Sequence, residues 1–429
     1  MRKVLLALAV ILMGSSVEAT HLFRNNASNI NAGTLDPDRL PNPLPNDKID
    51  SSSVTKYGPS IPADKINGAW DDCTVVIGTS GATNVDYTVS SLSDWNNLLS
   101  GLGMRGLTTS ATAQASVCAK DGVYPINGSA IVPAGMKLIG ISSAVFTDVG
   151  TANTELINVF GTVTGMKFDI GGLAFIGAKI RISSGAYFDN NEVYGAWNQA
   201  GGFNGNALVY VDRAINARIS RLRLKDPKAV GGGTRYGEAG GLVVNQSSGV
   251  WIQIDEFIGG GQTAASSSNI GIIKSSNVHI VNSQLRPTGG NVIVIQDGSV
   301  NTTIENTRID VIGGPGDQGV IVVGIDDGNT SSVSSVTVIN NVHMTAGLNG
   351  SSRFIAVRGT SAGKRTFGLL INNTTAKGAP GSTDTFIGLG TGSFNTIILN
   401  SASYGMPTCL SDSGTGTVKG QLYKDGVLQ

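Results

Sequence analysis

Charge is scarce in this sequence: Asp, Glu, Lys and Arg make up only 14% of 429 residues, and 30 basic residues balance 30 acidic ones. A chain with no formal net charge has no electrostatic footprint for nucleic acid, and no basic cluster marks an anionic membrane surface. Histidine occurs three times, as His21, His279 and His343, and cysteine three times, as Cys73, Cys118 and Cys409. Apolar runs long enough to cross a membrane are also missing: the longest, residues 4–13, falls well short of the roughly 20 residues a span needs. Membrane insertion is therefore not expected.

What is present is glycine, 59 residues of it, with Ser, Thr and Asn between short runs rich in Val and Ile. That composition points to many short strands and turns and few long helices. Arg2 and Lys3, the apolar run after them, and Val17-Glu18-Ala19 read as a Sec-type secretory signal, residues 1–19, cleaved before Thr20. A secreted or cell-surface protein follows. In an oxidising compartment one cysteine pair can bridge, and Cys73 with Cys118 is the expected pair because both flank the start of the main domain; three buried thiols are the alternative.

Residues 20–70 are rich in Pro, Asp and Asn and lack apolar periodicity, as a linker or extended stem does. Pro45-Asn46-Asp47-Lys48-Ile49-Asp50 recurs as Pro62-Ala63-Asp64-Lys65-Ile66-Asn67, and residues 27–41 resemble the short stem repeats of phage tail-fibre proteins. Residues 71–116 form a cap region, in which Ser93-Asp94-Trp95-Asn96-Asn97-Leu98-Leu99 has an N-cap followed by helical apolar spacing. Asp121-Gly122-Val123-Tyr124-Pro125-Ile126 and Ile131-Val132-Pro133-Ala134-Gly135-Met136-Lys137-Leu138-Ile139-Gly140 resemble the opening rungs of the pectin-lyase-like superfamily.

From there a short unit recurs: Lys167-Phe168-Asp169-Ile170, Tyr187-Phe188-Asp189-Asn190, Arg218-Ile219-Ser220-Arg221, Trp251-Ile252-Gln253-Ile254, His279-Ile280-Val281-Asn282, Thr303-Ile304-Glu305-Asn306, Thr337-Val338-Ile339-Asn340, Leu369-Leu370-Ile371-Asn372 and Ile397-Ile398-Leu399-Asn400. Successive units lie roughly 20–34 residues apart, a solenoid period. The second residue is always apolar and its neighbours vary, as on a strand with one inward face. The recurrent Asn at the fourth position predicts an inward amide ladder. The expected fold is all-β: a right-handed, single-stranded parallel β-helix, residues 117–400, with an N-terminal cap and a C-terminal cap or tail over 401–429. Its handedness rests on the chirality of parallel crossovers and on the family resemblance.

A packed solenoid has no interior site, so function must sit on outward side chains or loops. In this alignment Lys167, Tyr187, Arg218, Trp251, His279 and Thr303 form one outward row, and Asp169, Asp189, Ser220, Gln253, Val281 and Glu305 another. Beyond the turn come Glu192, Arg223, Glu256, Gln284 and Arg308. Aromatic faces pack on sugar rings, and Arg or carboxylate groups bond hydroxyl or uronate groups, so the early rungs suit a polysaccharide. Lys167, Tyr187, Trp251, His279 and Arg308 are the candidate substrate-binding residues.

Asp189, Glu192, Arg218, Arg223 and Glu256 are the candidate catalytic residues. Glu192 and Glu256, two rungs or roughly 9–10 Å apart, match an inverting glycosidase pair. Asp169 and Asp189 near Arg218 and Arg223 suggest a Ca²⁺-assisted lyase instead. The resemblance allows a polysaccharide lyase or a glycoside hydrolase and selects neither; the chain lacks the Asp-dense calcium run and the paired-Asp motif of the enzymes. No cofactor is required, with Ca²⁺ the one ion a lyase would use. The late rungs place Leu369, Ile397, Ile339, Ile371 and Leu399 outward, a patch to be covered by the C-terminal segment or by another subunit. A non-catalytic, fibre-like homotrimer is therefore the alternative function. Two Gly-rich insertions, residues 198–207 and 228–238, could wall a cleft beside the charged rungs.

Overall fold

Strands that turn every second side chain inward must bury those side chains against something, and stacking successive turns of chain in register does so for a whole row at once. The chain takes this course in a computed structural model that describes residues 73–104, 115–150, 155–171, 178–198, 206–230, 239–259, 268–288, 291–312, 319–325, 333–347, 353–358 and 365–429. Each turn lays a parallel strand on each of three faces. The third face is an 11-stranded sheet running from Ala130–Val132 to Thr408–Asp412. The other two share 25 strands, because long strands such as Val300–Val311 pass through the corner between them. The architecture is the expected right-handed parallel β-helix.

Parallel pairing starts with Val75–Gly78 against Ala115–Ala119. The Cys73–Cys118 disulfide forms beside this pair, and Cys409 is a buried free thiol. A helix, Leu92–Met104, covers the end of the core. Its cap is Ser91 rather than Ser93: the Ser91 hydroxyl accepts from the Asp94 N–H at 3.2 Å and donates to the Asp94 carboxylate at 2.9 Å, and that carboxylate also accepts from the Ser90 N–H at 2.9 Å. Trp95 is fully buried, donates its indole N–H to the Ile131 carbonyl at 3.0 Å, and meets the Phe146 ring edge-on at 5.6 Å. The aromatic core continues to Phe168 and Phe188. At the far end Ser401–Tyr404 and Leu422–Lys424 keep the parallel register, and only Val427–Leu428 turns back. The C-terminal segment thus extends the solenoid instead of folding over its late rungs. The expected signal and stem, residues 1–70, lie outside the described residues.

The register corrects the repeat at three points. Lys167-Phe168-Asp169 pairs with Val145-Phe146-Thr147 and with Glu192-Val193-Tyr194, so it belongs to the second face and not to the row of Tyr187. In the later units the alignment slips by one: Ile304 lies beside Ile339, and Ile339 beside Ile371. A one-residue slip exchanges the faces of a strand. Ile339, Ile371 and Leu369 are therefore buried, and the outward row is Val338, Leu370, Ile397 and Val418.

The Asn ladder is real but faces outward. Asn341 donates to Asn306 at 2.8 Å and Asn373 to Asn341 at 3.1 Å, while Asn372 donates to Asn340 at 3.0 Å. Asn190, Asn282, Asn306, Asn341, Asn373 and Asn400 have φ near +50°, the left-handed turn Asn tolerates. The inward place goes to the next residue, which is Ser or Thr in four of these coils, where the hydroxyls of Ser283, Thr307, Thr374 and Ser401 each donate to the carbonyl two residues back, and is the buried Asn191 and Val342 in the other two. The outward amides suit the left-handed turn, while the inward hydroxyls, and in one coil the buried Asn191 amide, satisfy backbone groups.

A second left-handed column precedes the first face: Asn216, Gly249, Asn277, Asn301, Val336, Gly368, Asn395 and Gly416. Val336 is the odd member, a β-branched residue at φ 52° whose side chain is 51% exposed. An L-residue with a Cβ pays about 1–2 kcal/mol there, and this exposed valine recovers little by burial. Val336→Asn is expected to raise unfolding stability by about 1 kcal/mol, read as a higher urea midpoint at unchanged m-value; an unchanged or lower midpoint would count against strain at this turn.

Candidate functional site

Rows on a parallel sheet are continuous because adjacent strands sit one rung apart. On the first face the register runs Tyr187, Arg218, Trp251, His279, Thr303. The Arg218 guanidinium lies over the Tyr187 ring at 5.5 Å and over the Trp251 ring at 5.9 Å, and Trp251 lies 5.9 Å from the His279 ring at an interplanar angle of 35°. Four side chains thus form one unbroken π-stacked strip. Trp251 is 38% exposed, and among the described residues no carboxylate pairs with Arg218. Stacking holds the guanidinium flat and leaves its N–H donors for a ligand.

Around the corner, on the second face, the row is Lys167, Glu192, Arg223, Glu256. Gln284, Arg308 and His343 continue it. Lys167 and Arg308 are therefore not part of the aromatic strip. Arg308 is spoken for by Asp310 at 2.7 Å, and His343 by Thr375 at 2.7 Å. Glu192 and Glu256 do lie two rungs apart, with Arg223 between them in register. The Lys225 ammonium reaches both, 3.3 Å from Glu192 and 3.9 Å from Glu256. Both candidate carboxylates thus share one lysine as ion-pair partner.

Asp189 closes the corner. Arg221 clamps its carboxylate with two hydrogen bonds, the Nε contact at 3.0 Å, and Thr164 approaches at 3.5 Å. Arg221 takes the left-handed turn, φ 49°, that Asn occupies in other coils. Burial alone would raise the Asp189 carboxyl, but the hydrogen bonds from Arg221 and Ser220 outweigh it and hold the group below its ordinary range. Asp169 lies on the other face, beside Tyr194, and accepts from the Gly171 N–H at 3.0 Å. Asp169 and Asp189 are thus not stacked neighbours, and among the described residues no three His, Cys, Asp or Glu side chains gather as metal ligands. The pair does not fit Ca²⁺.

Arg221, Lys225 and Asp255 are site residues that sequence reasoning missed. Arg221 had a signal, since it interrupts a column of Asn. Asp255 had none: it is exposed on a bulge, where the register shifts between the Leu222–Ile254 and Arg223–Glu256 pairs, and bulges re-aim side chains. Second-face strands continue past the coil in this region, with Trp197 beside Ala229 and Asn198 beside Val230. Most of the two Gly-rich insertions, residues 199–205 and 231–238, lies outside the described residues.

The class that fold and site define is a parallel β-helix with an aromatic–guanidinium strip on its early coils. No protein-family model and no curated protein match the sequence. Solved structures do show similarity. The endo-xylogalacturonan hydrolase of Aspergillus tubingensis aligns over 81% of this chain and 100% of its own, with 11% identity and a TM-score of 0.45. A tailspike protein of E. coli bacteriophage HK620 covers 78% of this chain and 65% of its own (10%, TM-score 0.49), and a PL6 family polysaccharide lyase of Pseudopedobacter saltans 80% and 93% (11%, 0.45). These likenesses are of backbone course, at identities too low to carry chemistry across.

A depressed carboxyl stabilises the fold above its unfolded pKa of about 3.9 and loses that contribution as pH falls through the lower folded value. The wild-type chain should therefore lose stability on acidification below about pH 4, and Arg221→Gln should flatten that limb of a urea-midpoint-against-pH curve. Superimposable acid limbs would show that Arg221 does not hold Asp189.

Proposed function

We propose that this chain is an exported, secreted or cell-surface protein that binds a polysaccharide along the first face of its early coils. The continuous strip of Tyr187, Arg218, Trp251 and His279 carries the reading. Within the row the ring faces are turned to their neighbours, so the strip would offer a pyranose chain its outward ring edges and the Arg218 donor fork, which reaches hydroxyl or carboxylate groups. Arg223 and the Asp189–Arg221 pair flank the strip at the corner, as polar groups that would fix register and orientation. Net charge does not select this ligand; the stacked geometry does.

The direct test is binding of the mature chain to a panel of neutral and acidic polysaccharides by calorimetry or affinity electrophoresis. Trp251→Ala should weaken the best ligand by at least about tenfold, roughly 1.4 kcal/mol, while Val338→Ser on the same face should leave affinity unchanged. Equal affinities for wild type and Trp251→Ala would remove the strip from the function. Cleavage, by lyase or hydrolase chemistry, is read in the same samples from unsaturated products and reducing ends, with and without Ca²⁺. Activity that survives Glu192→Gln and Asp189→Asn would exclude those carboxylates from it.

A non-catalytic, self-associating shaft is the second reading, and the outward row of Val338, Leu370, Ile397 and Val418 favours it. Ile397 is 40% and Val418 56% exposed, and an exposed apolar row of this kind suits a partner subunit in a homotrimer. Light scattering separates the two: a monomer that binds glycan supports the first reading, and a trimer that binds none supports the second.

A further inference from the structure

Just before the left-handed turn into the first face, the outward column holds small residues over most of its length and two phenyl rings near its end. In register it runs Ser276, Val300, Ser335, Phe367, Phe394, Thr415. Ser335 and Thr415 make the same corner without a ring, so the backbone does not call for an aromatic there. The Phe367 and Phe394 rings stack at 5.1 Å with their planes 21° apart, and the Arg365 guanidinium lies over the Phe394 ring at 5.5 Å. Arg365 is exposed, and among the described residues no carboxylate pairs with it.

The stack stops at Phe394. Phe367 and Arg365 come from the coil before it; the coil after it offers Thr415, exposed and too short to cover a phenyl face, between Gly414 and Gly416. A side chain at Gly416, φ 70°, would put its Cβ 2.7 Å from Asn395 Oδ1, and one at Gly414 would lie 3.0 Å from the Ser393 carbonyl oxygen. Asp412 holds this turn in shape: its Oδ1 accepts from the Gly414 N–H at 2.9 Å and from the Thr417 hydroxyl at 3.3 Å, and among the described residues no cation pairs with it. One ring face thus meets an open, polar step, whereas in the Tyr187–Arg218–Trp251–His279 strip the faces are turned to neighbours.

We propose that Phe394 is the floor of a second saccharide site, which takes one pyranose unit against its open ring face, with Arg365 from the coil before it and Asp412 from the coil after it as hydrogen-bonding groups. The inference rests on the reading of this chain as a glycan-binding protein, but not on the strip. C–H groups on one face of a pyranose carry partial positive charge and pack on the negative face of an aromatic ring. The guanidinium presents paired donors and the carboxylate a free acceptor oxygen, a combination that addresses sugar hydroxyls. Because Phe367 closes the other side of the ring, the site takes a single unit. An apolar subunit surface fits this corner poorly, since it would bury Arg365 and Asp412 without partners.

Saturation-transfer NMR on the full chain reads weak binding of this kind, with the methyl glycosides of glucose, galactose, N-acetylglucosamine and glucuronic acid as probes. It is run in a Trp251→Ala background, so that the strip does not contribute. The expected result is transfer to the ring C–H protons of at least one probe, abolished by Phe394→Ala. Thr415→Phe, which would extend the stack and cover the open face, should abolish it too, with the far-UV circular dichroism unchanged. No transfer to any probe, or transfer that survives both substitutions, would overturn the proposal. A trimer that Phe394→Ala converts to monomers would also overturn it, because the ring would then face a subunit. If instead Trp251→Ala leaves polysaccharide affinity unchanged while the probe signal depends on Phe394, the strip falls and this site stands.

Discussion

Parallel backbone hydrogen bonding between successive turns of chain holds each residue one rung from its counterparts above and below, and the molecule's other properties descend from that constraint. It makes the core a set of inward columns, so one side chain has the same neighbours as the next. It makes the outer surface a set of rows, so chemistry accumulates along the axis instead of gathering in a cavity. It also leaves the ends exposed, which is why the N-terminal turn is closed by the Leu92–Met104 helix and the Trp95 ring beneath it.

The same constraint explains which parts of the structure were legible in advance. Inward apolar residues such as Phe188, Ile219, Ile252, Ile280 and Ile304 recur at the repeat period, and that was enough to recognise the solenoid and the row Tyr187–Arg218–Trp251–His279. Where a strand is apolar on both sides of the inward residue, periodicity loses its phase. Leu369-Leu370-Ile371 reads equally well in two registers, and the wrong one turned buried residues outward. Lys167-Phe168-Asp169 was misplaced for a related reason: two faces meet at each corner, and a polar–apolar–polar triplet fits either.

Partnership was the least legible property. Glu192 and Glu256 carry no mark in the sequence that Lys225 reaches both, because the lysine's reach depends on strand pairing as well as spacing. Asp189 reads as a free carboxylate until Arg221 is seen to occupy a turn otherwise given to Asn. Candidate acids and bases named from a sequence are often half of an ion pair whose other half lies a full turn away. The strip is different in kind: its members contact one another along the row itself, so register alone assembles it, and its free surface is the outward ring edges and the Arg218 donors.

A strip built one residue per rung should engage an extended glycan one unit at a time, since rung spacing is close to the rise of a pyranose unit along such a chain. Titration of the mature protein with a size series of one oligosaccharide tests this most directly. Affinity should climb with each added sugar up to about four, one for each member of the strip, and then level off. A monosaccharide that binds as tightly as the longer chains would contradict a row-shaped site.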